Sequence, residues 1–186
     1  MPLTTLDTTA ALIVIDLQKG LITTPVVHPI DGIIERSAQL ARAFRERGLP
    51  VVLINVAGGA PGRTDTARPK MSLPPDFIEL VPEIAQHRDD ILITKHRVGA
   101  FLGTSLDETL RQRGVTQVFL TGIATSNGVE ATARSAYDLG YNLVLVTDAI
   151  TDRDPEAHRY SVEKVFPRIS EMDTTDNVLT HLRSRQ

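Results

Sequence analysis

Cysteine is absent from all 186 residues. No disulfide, thiolate metal site or cysteine nucleophile is therefore available to this chain, whatever its fold. Tryptophan is absent too, and aromatic residues make up only 4%. A stacking platform for nucleic-acid bases is not expected from so few rings. Positive charge is not in excess either: the formal net charge is −3, which gives no electrostatic case for a nucleic-acid partner. No apolar run approaches the length of a membrane span. The opening stretch, MPLTTLDTTAALIVID, has neither the basic start nor the small-residue cleavage site of a signal peptide. The expectation is a cytoplasmic protein with no membrane partner.

What is present is enough for a core. Hydrophobic residues make up 41%, and the length suits a single domain over 1–186. Ala10 to Ile15 reads as a continuous apolar run with β-branched members, which suits a central strand covered on both faces. Asp31 to Arg47 has helical spacing and Gly48 stops it; Val51 to Val56 is a second buried strand. Residues 57–76 are rich in Gly, Pro and polar side chains and predict a long loop of the functional kind. A short helix is expected over Phe77 to Val81. A third strand, Ile91 to Thr94, ends at Lys95, and a helix follows from Ser105 to Arg113. Asn142 to Thr147 is a fifth strand with Asp148 at its tip. A helix over Pro155 to Val165, a short strand near Ile169 to Met172 and a helix from Thr175 to Leu182 complete the reading. Strands alternate with helices throughout, the pattern of a doubly wound α/β parallel sheet.

The remaining stretch, QVFLTGIATSNGVE at 117–130, organises the rest. It opens as a buried strand, Val118 to Leu120, breaks at Thr121-Gly122, and enters a helix near Gly128. Ser126 or Asn127 is expected to cap that helix. Such a unit aims the positive end of a helix at whatever sits above the strand tips, where open parallel sheets bind ligands.

Asp16, Lys95 and the Thr125–Gly128 turn would then share one sheet edge. A carboxylate and an ammonium converging on a helix start make an acid–base site. Taken singly, Asp16 reads as a turn residue and Lys95 as a surface lysine; the constellation raises both. Capping is the better role for the hydroxyls of Thr125 and Ser126, because no G-x-S-x-G elbow is present. The histidines, His28, His87, His96, His158 and His181, show no zinc spacing, and His158 reads as a surface or packing residue. No phosphate loop and no G-x-G-x-x-G follows a strand, so neither a metal nor a dinucleotide cofactor is expected.

Three motifs, in this order, resemble the isochorismatase-like, or cysteine-hydrolase, superfamily: LIVIDLQKG around Asp16, ITKHRVGAFLGTSLD around Lys95, and FLTGIATSNGVEATARSAYDLGYNLVLVTDA from Phe119. The resemblance covers nearly the whole chain. It implies a six-stranded, mostly parallel, Rossmann-like sheet with helices on both faces, and an Asp-Lys pair. It also implies a cis peptide at Ile123-Ala124, which would turn the N–H of Ala124 toward the pocket beside that of Gly128. In most members a cysteine opens the helix after strand four; here Gly128 stands there, as in a glycine-bearing branch that lacks the nucleophile. The thioester route of the amidase members is closed to this chain. The nicotinamidase-type zinc motif is missing as well, with N-V-A-G-G in its place.

The expected function is a small-molecule hydrolase with no covalent cysteine intermediate. Asp16 and Lys95 would act on a small anionic substrate, a vinyl ether or a related compound, with Gly128 leaving room for water. Gln18, Phe101, Ala124, Thr125, Ser126 and Asn127 would line the substrate pocket. The resemblance further implies a homo-oligomer, a dimer or tetramer, and Leu21-Ile22 and Pro25-Val26-Val27 are candidate contact stretches. The rival reading is a non-catalytic ligand-binding or degenerate member of the family.

Overall fold

The computed structural model describes residues 2–65, 73–84 and 86–184. Its frame is one six-stranded sheet, in the order β3-β2-β1-β4-β5-β6. The strands are β1 (Ala10–Ile15), β2 (Val51–Val56), β3 (Ile91–Lys95), β4 (Gln117–Ile123), β5 (Asn142–Thr151) and β6 (Glu171–Asp173). Every pairing is parallel. The strand order reverses direction at β1, beside β4, so the crevice outside their C-terminal ends is the place for a ligand.

The apolar runs become strands because both faces of the sheet are covered. Ala10, Leu12 and Val14 face one core with Phe44, Val178 and Leu182. Ala11, Ile13 and Ile15 face the other with Leu106, Val129 and Ala136. The first layer is built from α2 (Ile30–Glu46) and α6 (Thr175–Ser184), the second from α3 (Leu106–Gln112) and α4 (Glu130–Asp138). Phe44 meets Phe119 edge to face at 5.3 Å across the first layer. Among the described residues no helix is long and apolar enough to cross a membrane.

Close approach at the switch point demands one particular residue. A Cβ on Gly122 would lie 2.0 Å from the Ile15 carbonyl oxygen, and its φ is +113°. Only glycine lets β4 lie this close to β1.

Several expectations change, among them the break at Thr121-Gly122, which β4 runs through to Ile123. Residues 75–78 form a turn, not a helix; Leu80 then pairs with Gln18 in an isolated antiparallel bridge, and a 3-10 turn follows at Pro82–Ile84. The prolines at 74, 75 and 82 break any helical run there. Strand β5 runs on to Thr151, past the expected end at Thr147. The register slips between Leu120↔Leu145 and Gly122↔Ile150, so extra residues bulge out of β5 and break its apolar pattern. A short α1 (Lys19–Ile22) also forms directly after β1. Of the expected long loop, residues 66–72 lie outside the described residues.

Candidate active site

Asp16 is the first residue beyond β1 and has φ +56°, a left-handed conformation that Asp tolerates better than most side chains. Its N–H is held by the Ile54 carbonyl at 3.0 Å. Lys95 ends β3, two strands away. Its stem crosses the tip of β2 and brings Nζ to 2.8 Å from Asp16 Oδ2. The ammonium also donates to the carbonyls of Val98 at 2.9 Å and Arg97 at 3.4 Å. The Lys95 side chain is only 2% exposed, and three acceptors around it meet the condition for burying a charge.

The carboxylate is less well served. Oδ2 has Lys95, while Oδ1 is buried with no hydrogen-bond partner. Burial pushes the Asp16 carboxyl up to about 6, against the pull of Lys95. It is therefore poised to gain and lose a proton near neutral pH. Gly128 sits directly over it: a Cβ there would lie 3.1 Å from Asp16 Oδ2 and 3.3 Å from the Ile123 carbonyl oxygen.

Gly128 belongs to a wide π-helical turn, Thr125–Val129, that leads into α4. Turns of this kind are uncommon and recur at functional sites. The Ala124 carbonyl accepts from both Asn127 and Val129, at 3.0 and 3.1 Å. The Ile123-Ala124 peptide is cis. Neither Ser126 nor Asn127 caps the turn. That role falls to Asp152, from the end of β5, whose Oδ2 accepts the Ser126 N–H at 2.6 Å. A carboxylate thus already occupies the positive end of this helix.

These groups line a cavity of about 810 Å³. Asp16, Lys95, Ile123 and Gly128 form its floor; Ala124, Ser126, Asn127, Asp152 and Arg153 form one wall; Arg97, Val98 and Gly58 to Ala60 face them. Leu21, Val26, Leu73 and Phe77 supply apolar surface. Among the described residues, neither Arg97 nor Arg153 has a carboxylate within ion-pair distance. Arg97 Nη1 donates to the His96 carbonyl at 2.8 Å.

Three expected lining residues lie elsewhere. Gln18 is fully buried behind the wall: Oε1 accepts the Val56 N–H at 2.7 Å, and Nε2 donates to the carbonyls of Val56 and Phe77 at 3.1 and 2.9 Å. It braces the Phe77 segment. Phe101 turns into the second core and packs against Tyr141 at 5.9 Å, because the chain after Lys95 folds back toward α4, where the Ala100 N–H meets Thr132 Oγ1. Thr125 is 0% exposed, and its hydroxyl lies 2.9 Å from His158 Nδ1. A hydroxyl beside an imidazole has the composition of a nucleophile and base, but Thr125 does not reach the cavity.

Asp152, Arg97, Arg153 and the His158–Thr125 contact are the features sequence reasoning missed. Ending β5 at Thr147 put Asp148 at the strand tip. Asp148 instead accepts from the N–H and hydroxyl of Thr175, at 2.8 and 2.9 Å, at the start of α6. The polar run at 152–154 immediately before Pro155 was the available signal for the true tip. Leu21 and Ile22, considered for subunit contact, pack partly buried against the first core.

Comparison with known proteins bears on the family and the fold. A model of the isochorismatase domain matches residues 10–177. The chain is 37% identical over 183 residues to an uncharacterized isochorismatase family protein, YwoC, of Bacillus subtilis, covering 93% of this chain and 94% of that one. It is 30% identical over 206 residues to the ureidoacrylate amidohydrolase RutB of Stutzerimonas stutzeri, covering 92% and 83% respectively. A solved isochorismatase family protein from Burkholderia thailandensis superposes with a TM-score of 0.92 at 38% identity, over 96% of this chain and 98% of that one. With this fold and these matches over nearly its whole length, the chain belongs to the isochorismatase family.

Proposed function

We propose that this chain is a hydrolase of small anionic substrates that works by proton transfer and water attack, with no covalent intermediate. The observation that carries the reading is the Asp16 carboxyl: buried, paired through one oxygen with Lys95, unpartnered at the other, and with a glycine, Gly128, beside it. With no cysteine in the chain, the proton carrier itself is the reacting group.

In its acid form Asp16 protonates the terminal carbon of a vinyl ether. Water adds to the resulting oxocarbenium carbon, and the hemiketal collapses to a ketone and an alcohol. The proton released on water addition restores the acid. Lys95 holds the carboxylate formed during the cycle and fixes its orientation. Gly128 keeps the space over Oδ2 open to substrate or water.

Charge around the cavity supports an anionic substrate. Arg97 and Arg153 face it without carboxylate partners among the described residues. Since Asp152 already offsets the helix terminus, these guanidinium groups, with the backbone N–H groups of Ala124 and Gly128, supply the attraction. Ser126 and Asn127 contact the substrate from the same wall. The apolar residues Leu73 and Val98 at the cavity, 39% and 44% exposed, suit coverage by a second subunit.

A second reading has its own support. The name of RutB specifies an amidohydrolase, and Asp16 in its ionised form can instead take a proton from water attacking an amide. The test is hydrolysis of isochorismate and of a panel of amides and ureido acids, with wild type and Asp16→Ala. Turnover that Asp16→Ala abolishes, with no covalent adduct by mass spectrometry, is expected. Ligand binding without turnover would leave the non-catalytic alternative standing. Loss of activity in Gly128→Cys together with retention in Asp16→Asn would overturn the scheme.

A further inference from the structure

His158 titrates, is half-buried, and has no part in the chemistry above. Its surroundings give it one. Its ring Nδ1 meets the Thr125 hydroxyl at 2.9 Å, three residues before Gly128 on the same wide turn. Its far side is edged by the His28 ring, with centroids 4.8 Å apart and planes at 67°. His28 is itself hung from the end of β5: its N–H donates to Thr151 Oγ1 at 3.0 Å, and its Nδ1 lies 3.3 Å from the same oxygen. The neighbouring Val27 N–H donates to the Asp152 carbonyl at 2.8 Å. The segment carrying Val26, one wall of the cavity, is thereby pinned to the strand end that carries Asp152.

The turn is thus gripped twice on successive residues. Asp152 holds the backbone of Ser126, and His158 holds the side chain of Thr125. Beyond Gly128 the Thr132 hydroxyl donates to the Gly128 carbonyl at 2.7 Å. These outside contacts help fix where the residues of the turn lie. Gly128 lies so close that a Cβ built on it would sit 3.1 Å from Asp16 Oδ2, so displacing the turn changes what covers the carboxylate.

We propose that His158, acting through Thr125, is a positioning residue that sets the seat of Gly128 over the Asp16 carboxylate. This deepens the proton-transfer reading and rests on it only for its catalytic consequence; the coupling itself is physical. Burial and then the neighbouring His28 ring hold His158 below the ordinary histidine value, against the pull of Asp152. A neutral imidazole can accept the Thr125 proton or donate its own across this contact.

The experiment follows two signals by NMR in the intact chain, neither needing a substrate: the side-chain carboxyl of Asp16 through a pH titration, and hydrogen exchange at the Val129 amide, which donates to the Ala124 carbonyl at 3.1 Å across the turn. His158→Ala and Thr125→Val should each lower the Asp16 midpoint by about one pH unit, as water reaches the carboxylate. Each should also speed Val129 exchange about tenfold. The double variant should show little more than either single one, because the two act through one contact. His158→Gln and Thr125→Ser, which keep a hydrogen bond, should restore both signals. If His158→Ala does not fold, the Thr125 pair carries the test alone. Unchanged midpoint and unchanged exchange in a folded Thr125→Val or His158→Ala variant overturn the proposal. Absence of hydrolysis in the wild type would count against the proposed function and leave this coupling intact.

Discussion

Two aspartates end strands at the same edge of the sheet, and the sheet treats them oppositely. Asp16 and Asp152 are buried alike, at 5% and 4% exposure. Asp152 uses both oxygens on backbone: Oδ2 accepts Ser126, and Oδ1 accepts Arg153 at 2.7 Å and Asp154 at 3.3 Å. Asp16 has one oxygen on Lys95 and the other on nothing. Burial alone therefore does not make a carboxylate reactive. Unmet hydrogen-bond capacity in a dry site does, because the protonated form then competes with the ionised one. Asp152 is spent as a structural clamp, while Asp16 keeps one oxygen free for the proton transfer we propose.

The sharpest way to break this contrast is to neutralise each in turn. Asp16→Asn should lower hydrolytic turnover about 10²- to 10⁴-fold, the range for losing a positioned acid or base. Asp152→Asn should lose far less turnover and more stability. Equal loss of turnover in both would erase the distinction.

Next in size is the partner of the reactive carboxylate. Lys95→Met leaves Asp16 buried without its counter-ion, so the fold should lose about 3–5 kcal/mol, read from the denaturant midpoint. Lys95 is the influence that lowers the Asp16 pKa, and its loss should drive the midpoint above 6. A midpoint that falls would mean the pair is not the one described.

The contrast also explains what the sequence could and could not tell. The strand runs at Ala10–Ile15 and Val51–Val56 were legible because both faces are buried and the apolar pattern is unbroken. Asp16 and Lys95 were legible because each directly follows or closes such a run. Asp152 was not, because the β5 bulge interrupts the pattern with Thr147 and Asp148 four residues before the strand ends. Gln18 and Phe101 lie close to Asp16 and Lys95 in the chain, which made them plausible lining residues. Their side-chain directions depend on the Phe77 segment and on α4, partners remote in sequence. Likewise the His158–Thr125 contact spans 33 positions, and no local pattern encodes it.

A smaller effect sharpens the Asp16 half of the comparison. Its carboxyl moves from 3.8 to about 6 on folding, so the folded state binds this proton more tightly than the unfolded one. The stabilisation is complete below 3.8 and is lost as pH rises through 6, a swing of about 3 kcal/mol. Asp107 and Asp173 are shifted the other way, so the difference between wild type and Asp16→Asn isolates the slope. In turnover, an acid role for Asp16 predicts activity that falls above about pH 6, and a base role predicts activity that rises through it.

The smallest effect tests the Asp152 half. Asparagine keeps one acceptor oxygen and turns the other into a donor. Three backbone N–H groups now share that acceptor, and at least one is left facing an amide NH₂. Asp152→Asn should therefore cost about 1–3 kcal/mol, seen as a lower melting temperature. Hydrogen exchange then tells which side lost its partner. Faster exchange at Ser126 alone means the amide has turned its oxygen to Arg153 and Asp154, and the turn bearing Gly128 is loosened. Faster exchange at Arg153 and Asp154 alone means the turn is still held and only the entry to α5 (Pro155–Tyr160) has slackened. An amide oxygen at the Oδ1 position keeps two of the three bonds, and one at Oδ2 keeps a single bond, so the first outcome is expected, with turnover falling far less than in Asp16→Asn.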